Sequence, residues 1–126
     1  MLKYLIDTSF LLRLVEQGAL RGNEPGEFAS SNFVLIRPVK SELEALARRQ
    51  PRARAKAARR ALEAAVHLVV VDTPKAAPTD EALVQVASQA GYGVATLDQH
   101  LRRRLRALGV PVLSLRGGRP LRESAR

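Results

Sequence analysis

Short apolar runs alternating with helix-like stretches place this chain in the α/β class, as a three-layer α/β/α sandwich around a central parallel sheet of four or five strands. Three observations carry the assignment. The runs at residues 2 to 6, 33 to 36, 68 to 71, 94 to 97 and 110 to 115 are rich in Val, Leu and Ile and lack the alternation of a half-exposed strand. The stretches between them repeat apolar residues at helical spacing. A length of 126 residues suffices for one hydrophobic core and not for two. Residues 1 to 116 are therefore read as the domain, and residues 117 to 126 as a basic, frayed tail.

The first run, Tyr4-Leu5-Ile6, stops at Asp7, and Thr8-Ser9 opens a helix expected over residues 9 to 16. Residues 17 to 32, with Gly18, Gly22, Pro25 and Gly26, read as a long loop. After the second run, Ser41 and Glu44 have the spacing of a capping box, which predicts a helix over 41 to 49. Pro51 separates it from a third helix over 52 to 66, whose docking side is Ala58, Ala61, Leu62 and Ala65. A fourth, over 79 to 90, turns Leu83, Val86, Ala87 and Ala90 inward, and a fifth, over 99 to 108, carries Leu101, Leu105 and Leu108.

Four acids stand where strands hand over to helices. Asp7 and Asp98 follow apolar runs directly, Asp80 lies on the inward side of a first helical turn, and Glu42 is left free if Glu44 serves the capping box. In a parallel sheet, ligands bind beyond the carboxyl ends of the strands, so such residues can meet although they are distant in sequence. Asp is also a preferred N-cap, and acids in a first turn suit the helix dipole, so each one alone has a structural reading. Asp72, which ends an apolar run before Thr73-Pro74, has only that reading. Together the four are harder to explain as caps. Two carboxylates about 5 Å apart repel by roughly 3 kcal/mol at an effective dielectric near 20, and a divalent cation relieves that repulsion. Mg²⁺ or Mn²⁺ held by oxygen ligands is suited to phosphodiester hydrolysis.

Composition narrows the alternatives. The net charge of +9 implies a polyanionic partner. With no cysteine, disulfides and thiolate ligands are excluded, and His67 and His100 have no partner at a zinc spacing. Walker and Gly-x-Ser-x-Gly motifs are missing, and Asp7-Thr8-Ser9 lacks the second aspartate of a phosphoaspartyl phosphatase. No run is long enough for a membrane span, so a soluble, cytoplasmic protein with no membrane partner is expected. Candidate phosphate contacts are Arg52, Lys56, Arg59 and Arg60 on one helix and Arg102, Arg103, Arg104 and Arg106 on another, the second set following Asp98 by one or two turns. With few aromatics, binding is expected to be phosphate-dominated and salt-sensitive.

At these residues the chain resembles the PIN-domain nucleases, in particular small stand-alone archaeal or bacterial members of toxin or RNA-processing type. Ile6-Asp7-Thr8-Ser9 is similar to the opening Asp-Thr-Ser/Asn element, and Val39-Lys40-Ser41-Glu42-Leu43 to the helix with the family's glutamate. Thr79-Asp80 is similar to the Ala-Asp element and Thr96-Leu97-Asp98 to the Thr-x-Asp element, with Leu97 and Ser9 standing where relatives often carry Asn. The resemblance implies Mg²⁺- or Mn²⁺-dependent cleavage of single-stranded RNA and frequent homodimers. Asp7, Glu42, Asp80 and Asp98 are accordingly expected to be both catalytic and metal-binding, with Thr8, Ser9 and Thr96 in support. A toxin nuclease held by a small antitoxin protein has the same sequence features. A non-cleaving RNA-binding module, such as a ribosome-assembly factor whose acids are only caps, is the reading from a different class.

Overall fold

All five apolar runs are strands, and a sixth strand lies where a frayed tail is expected. The computed structural model describes residues 2–18, 32–49, 52–74 and 76–123, without the side chain of Arg52. In chain order the elements are β1 (Tyr4–Ile6), α1 (Thr8–Glu16), β2 (Phe33–Ile36), α2 (Arg37–Ala47), α3 (Arg52–Ala64) and β3 (Val69–Val71), followed by α4 (Thr79–Ala90), β4 (Gly93–Ala95), α5 (Gln99–Ala107), β5 (Val112–Arg116) and β6 (Arg119–Glu123). Most of the expected long loop, residues 19 to 31, lies outside the described residues. No helix among them is long and apolar enough to cross a membrane.

The sheet has the order β3-β2-β1-β4-β5-β6, parallel throughout except for β6. From β1 the chain moves outward through α1 to β2 and through α2 and α3 to β3; it then returns through α4 to β4, on the other side of β1, and continues through α5 to β5. Because such crossovers are right-handed, reversing direction puts α4 and α5 on the face opposite α1, α2 and α3. Every residue of β1, β2 and β4 is buried, which explains why their sequences do not alternate. The strand order reverses between β1 and β4, and at such a point the connecting loops diverge and leave a crevice.

The two helix-start readings fared differently. Asp7 and Asp98 are true N-caps of α1 and α5, accepting from the backbone N–H groups of Thr8 and Leu101. Ser41 is not a cap, because α2 begins four residues earlier, at Arg37, with a proline in its first turn and no side-chain cap bond. Pro38 is pre-set to helical φ and lacks the N–H that a first turn leaves unpaired, so the helix can start straight from β2. The inner side of α4 is also shifted: Ala82, Leu83, Val84 and Ala87 are buried, whereas Ala90 is exposed.

Residues 119 to 123 pair antiparallel with β5 rather than fraying, while residues 124 to 126 lie outside the described ones. Gly117 and Gly118, both at positive φ, make the tight turn between the two strands. Glu123 then reaches two arginines of α5, at 2.9 Å from Arg102 Nε and 2.8 Å from Arg106 Nη1. This pairing fastens the end of the chain to α5, and Pro120 with two arginines blunts the new sheet edge.

One glycine is required by packing. A Cβ on Gly93 would lie 2.6 Å from two ring carbons of Tyr4, which is fully buried, and 3.0 Å from the Pro111 carbonyl oxygen. Gly93→Ala should therefore lower stability by about 1–3 kcal/mol, the usual cost of overpacking, seen as a lower urea midpoint at unchanged m-value. A wild-type midpoint would mean that the Tyr4 ring has room to yield.

Candidate active site

The centre of the site is a short bridge across the β1/β4 junction. The Asp7 backbone N–H donates to the Ala95 carbonyl at 2.9 Å, extending the β1–β4 ladder by one step beyond β1. At the next position the buried Thr96 donates its hydroxyl to Asp7 Oδ2 at 2.8 Å and accepts from the Asp98 backbone N–H at 3.2 Å. Asp7 thus has both oxygens engaged, Oδ1 by the Thr8 N–H at 2.8 Å and Oδ2 by Thr96. Asp98 accepts from Leu101 N–H through Oδ1, which fixes its carboxylate at the start of α5.

Glu42 arrives from the other side, one turn into α2. Its two oxygens accept from the hydroxyls of Thr8 at 3.2 Å and Thr79 at 2.7 Å, so a single carboxylate links α1, α2 and the start of α4. Thr79 also sets Asp80 beside the group, but at an exposed rim rather than inward, because the buried side of α4 begins at Ala82. Ser9 is exposed and lines the same cavity as Asp7, Thr8, Glu42 and Asp98, with a volume of about 490 Å³.

The electrostatics show that the four acids form one group. The Asp7 carboxyl is held above its ordinary range, chiefly by burial and further by the charges of Asp80 and Glu42, against the opposing hydrogen bonds from Thr96 and Thr8. Asp80 is raised as well, first by partial desolvation and then by Asp98 and Glu42, with Arg104 pulling the other way. Burial is the main cause of both shifts, and the neighbouring carboxylates add to it. The donor set is all oxygen, as a hard divalent cation requires, and such a cation would oppose both shifts. Among the described residues, however, no group of three or more His, Asp or Glu side chains is set to hold one ion. The arrangement therefore fits a cation bound through one or two carboxylates and water, the usual habit of Mg²⁺, rather than a closed cage.

The basic residues divide unexpectedly. On α5, Arg104 makes a two-pronged pair with Glu81, including Nη2 to Oε2 at 2.8 Å, while Arg102 and Arg106 are bound by Glu123 and Arg102 also donates to the Leu97 carbonyl at 3.0 Å. Reading these three as phosphate contacts overlooked two acids that the fold brings onto the helix, one from α4 and one from β6. Arg103 is exposed and has no ion pair among the described residues. On α3, Arg59 donates to the Ala47 carbonyl at 3.1 Å, whereas Lys56 and Arg60 line a cleft and the side chain of Arg52 lies outside the described ones. Sequence reasoning missed Arg49 and Arg54, which line the acidic cavity itself. Arg49 had a signal, since it stands seven residues after Glu42, about two helical turns on and just past the end of α2. Arg54 had none, because its place depends on how α3 packs. Of the remaining polar residues, Asp72 is ion-paired with Arg37 at 2.9 Å, and His67 and His100 are exposed and do not line the acidic cavity.

The raised Asp7 has a measurable consequence. A folded-state pKa above the unfolded value means that the folded protein binds the proton more tightly, so this group favours folding most below about 3.8 and loses that contribution as pH rises through its folded pKa. Asp7→Asn keeps an N-cap oxygen and removes the charge. In chelator it should be more stable than wild type at pH 7, with the difference shrinking as pH falls towards 4, followed by urea titrations across that range. A variant less stable than wild type at pH 7 would show that the ionised carboxylate is a net stabiliser.

Comparison with known proteins agrees with this architecture. A family model described as a PIN like domain matches residues 4–118. The chain is 32% identical over 108 residues to Ribonuclease VapC9 of Archaeoglobus fulgidus, an overlap covering 86% of this chain and 78% of that protein. Among solved structures it is similar to the PIN domain endonuclease Utp24, with TM-score 0.73 and 28% identity over 96% of this chain and 90% of that one. PAE2754 from Pyrobaculum aerophilum shares the fold, with TM-score 0.56 and 19% identity over 82% of this chain and 86% of that one. With the family match running from β1 into the turn before β6, this chain belongs to the PIN-domain nuclease family.

Proposed function

We propose that the protein is a divalent-metal-dependent endoribonuclease that hydrolyses phosphodiester bonds of single-stranded RNA in the cytoplasm. The observation that supports this reading is the bridge through Thr96, which ties the Asp7 carboxylate to the backbone of Asp98 where the sheet reverses, with both residues lining one cavity and with Glu42 and Asp80 in electrostatic reach. The basic chain supplies attraction for the polyanion, and the likeness to a protein named a ribonuclease favours RNA as the substrate. Asp7 and Asp98 are assigned to hold Mg²⁺ or Mn²⁺, with Glu42 and Asp80 completing its surroundings through water. When bound, such an ion acidifies a water and offsets the charge developing on the leaving oxygen.

The side chains divide the remaining tasks. Thr96 and Thr8 fix the Asp7 carboxylate in one orientation, and Thr8 with Thr79 does the same for Glu42, so these groups need no rearrangement when substrate arrives. Asp80, at the rim and with raised proton affinity, is placed to orient the attacking water and take its proton. In its toxin-type form, this reading includes a small inhibitory partner protein and a homodimer.

The N-cap bonds of Asp7 and Asp98 favour a second reading, a non-cleaving RNA-binding module in which these acids serve structure alone. One oxygen can cap while the same carboxylate binds a cation, so experiment separates the two. Wild-type protein should cut single-stranded RNA with Mn²⁺ or Mg²⁺, and Asp7→Asn should lose at least about 100-fold in rate while still binding the RNA. Mn²⁺ at about 100 times its dissociation constant should stabilise the wild type by about 2.7 kcal/mol and the variant by much less. RNA binding without cleavage, and without stabilisation by either metal, would establish the module instead.

A further inference from the structure

Three helices present matching stripes to a common groove. On α2, Glu42, Ala45 and Leu46 follow the i, i+3, i+4 pattern, and they line the acidic cavity together with Arg49, just past the helix end. Ser9, Leu12, Arg13 and Glu16 on α1 extend the same spacing to i+7, as do Ala53, Lys56, Ala57 and Arg60 on α3. These two stripes line a pair of clefts of about 260 and 300 Å³ that share Glu16, Ala53 and Ala57. The first cleft also shares Ser9, Leu12 and Arg54 with the acidic cavity. The three hollows therefore adjoin one another in a row from the acids along the α1/α3 seam. Two alanines from α3 keep its floor low, where longer side chains would close it.

The charge along this row is positive. Arg49 and Arg54 stand at its acidic end, Arg13 follows, and Lys56 and Arg60 lie further on, against Glu16 as the single acid of the two outer clefts among the described residues. Arg13, Arg54, Lys56 and Arg60 are all exposed and make no ion pair among the described residues. On the opposite flank, three of the four α5 arginines already have carboxylate partners. A phosphate at those three must compete with Glu81 or Glu123, whereas on the α1/α3 side it meets cations that form no ion pair among the described residues.

We propose that single-stranded RNA leaves the acidic site along the α1/α3 groove. Arg54, common to the cavity and the first cleft, holds the phosphate next to the one under attack, and Arg13, Lys56 and Arg60 hold those beyond. The proposal rests on the ribonuclease reading for its substrate, but not on cleavage. It is tested with the full chain and a fluorescent oligouridine in chelator, where no cutting occurs and binding is read by anisotropy against salt. Lys56→Glu with Arg60→Glu should weaken binding by about tenfold or more and flatten the salt dependence by roughly one unit, as expected for lost phosphate contacts on a single strand. Arg54→Gln should weaken it by several-fold, while Lys3→Glu, at the exposed amino end of β1 and so at the far end of the strands from the acids, should change it by less than about twofold. All these positions are exposed, and an unchanged thermal midpoint confirms that each variant is folded.

Wild-type affinity in the groove variants, or an equal loss in Lys3→Glu, overturns the proposal, as does a wild-type chain that binds no oligouridine. Displacement of the RNA by polyglutamate of equal length at the same concentration also overturns it, marking a surface for acidic protein segments. A wild-type chain that binds through the groove but cuts nothing with Mn²⁺ leaves the path standing and removes the nuclease reading alone.

Discussion

The Thr96 hydroxyl is the interaction on which the site depends. Buried completely, it donates to Asp7 and accepts from the Asp98 backbone, so one oxygen atom joins two loops that leave the sheet in different directions. Without it, the two strands would still pair and each aspartate would still cap its helix, but the Asp7 carboxylate would lose its side-chain tie to the loop that carries Asp98. A buried hydroxyl with both roles satisfied is rigid, and this one transmits the regularity of the sheet to irregular chain beyond it. Glu42 extends the same arrangement across α1, α2 and α4 through two more hydroxyls. Three threonines thus hold like-charged groups near one another against their mutual repulsion.

Much of this could be read from the sequence, and the reason is local. Tyr4-Leu5-Ile6 and Phe33-Val34-Leu35-Ile36 are continuous apolar runs because both faces of the sheet are covered, and Asp7 and Asp98 end their runs because they cap the next helix. Where a single residue type had two uses, pattern failed. Ser41 and Glu44 have the right spacing for a capping box, yet the proline upstream had already begun α2, so a fixed φ outweighed a side-chain hydrogen bond. Leu97 and Ser9, the departures from the commoner family pattern, lie beside Thr96 and Thr8, which make the structural bonds, and leave those bonds intact.

What could not be read depended on contacts between distant segments. Arg102 and Arg106 looked like surface cations because Glu123, their partner, lies in a strand with few apolar residues that forms only against β5. Arg104 gave no sign of Glu81, twenty-three residues earlier. Arg54 looked like any other member of a basic helix, and only the packing of α3 against α1 and α2 brings it to the acids. Charge composition gave the kind of partner, while its location on the surface was decided by which cations the fold neutralises.

The strand order also governs when the molecule can come into being. β1 precedes the other five strands of the described chain but lies inside the sheet, and the contact of Asp7, just after it, with Thr96 joins residues 89 positions apart. On a ribosome, the amino-terminal strand must wait for β4 to emerge before its second edge is covered, and until then Asp7 has no counterpart across the sheet. Long-range parallel pairing of this kind is slow and late in folding. The carboxylate group therefore cannot assemble before the segment that carries Thr96 and Asp98 has been made, and a chain cut short of β4 has the first acid without its tether.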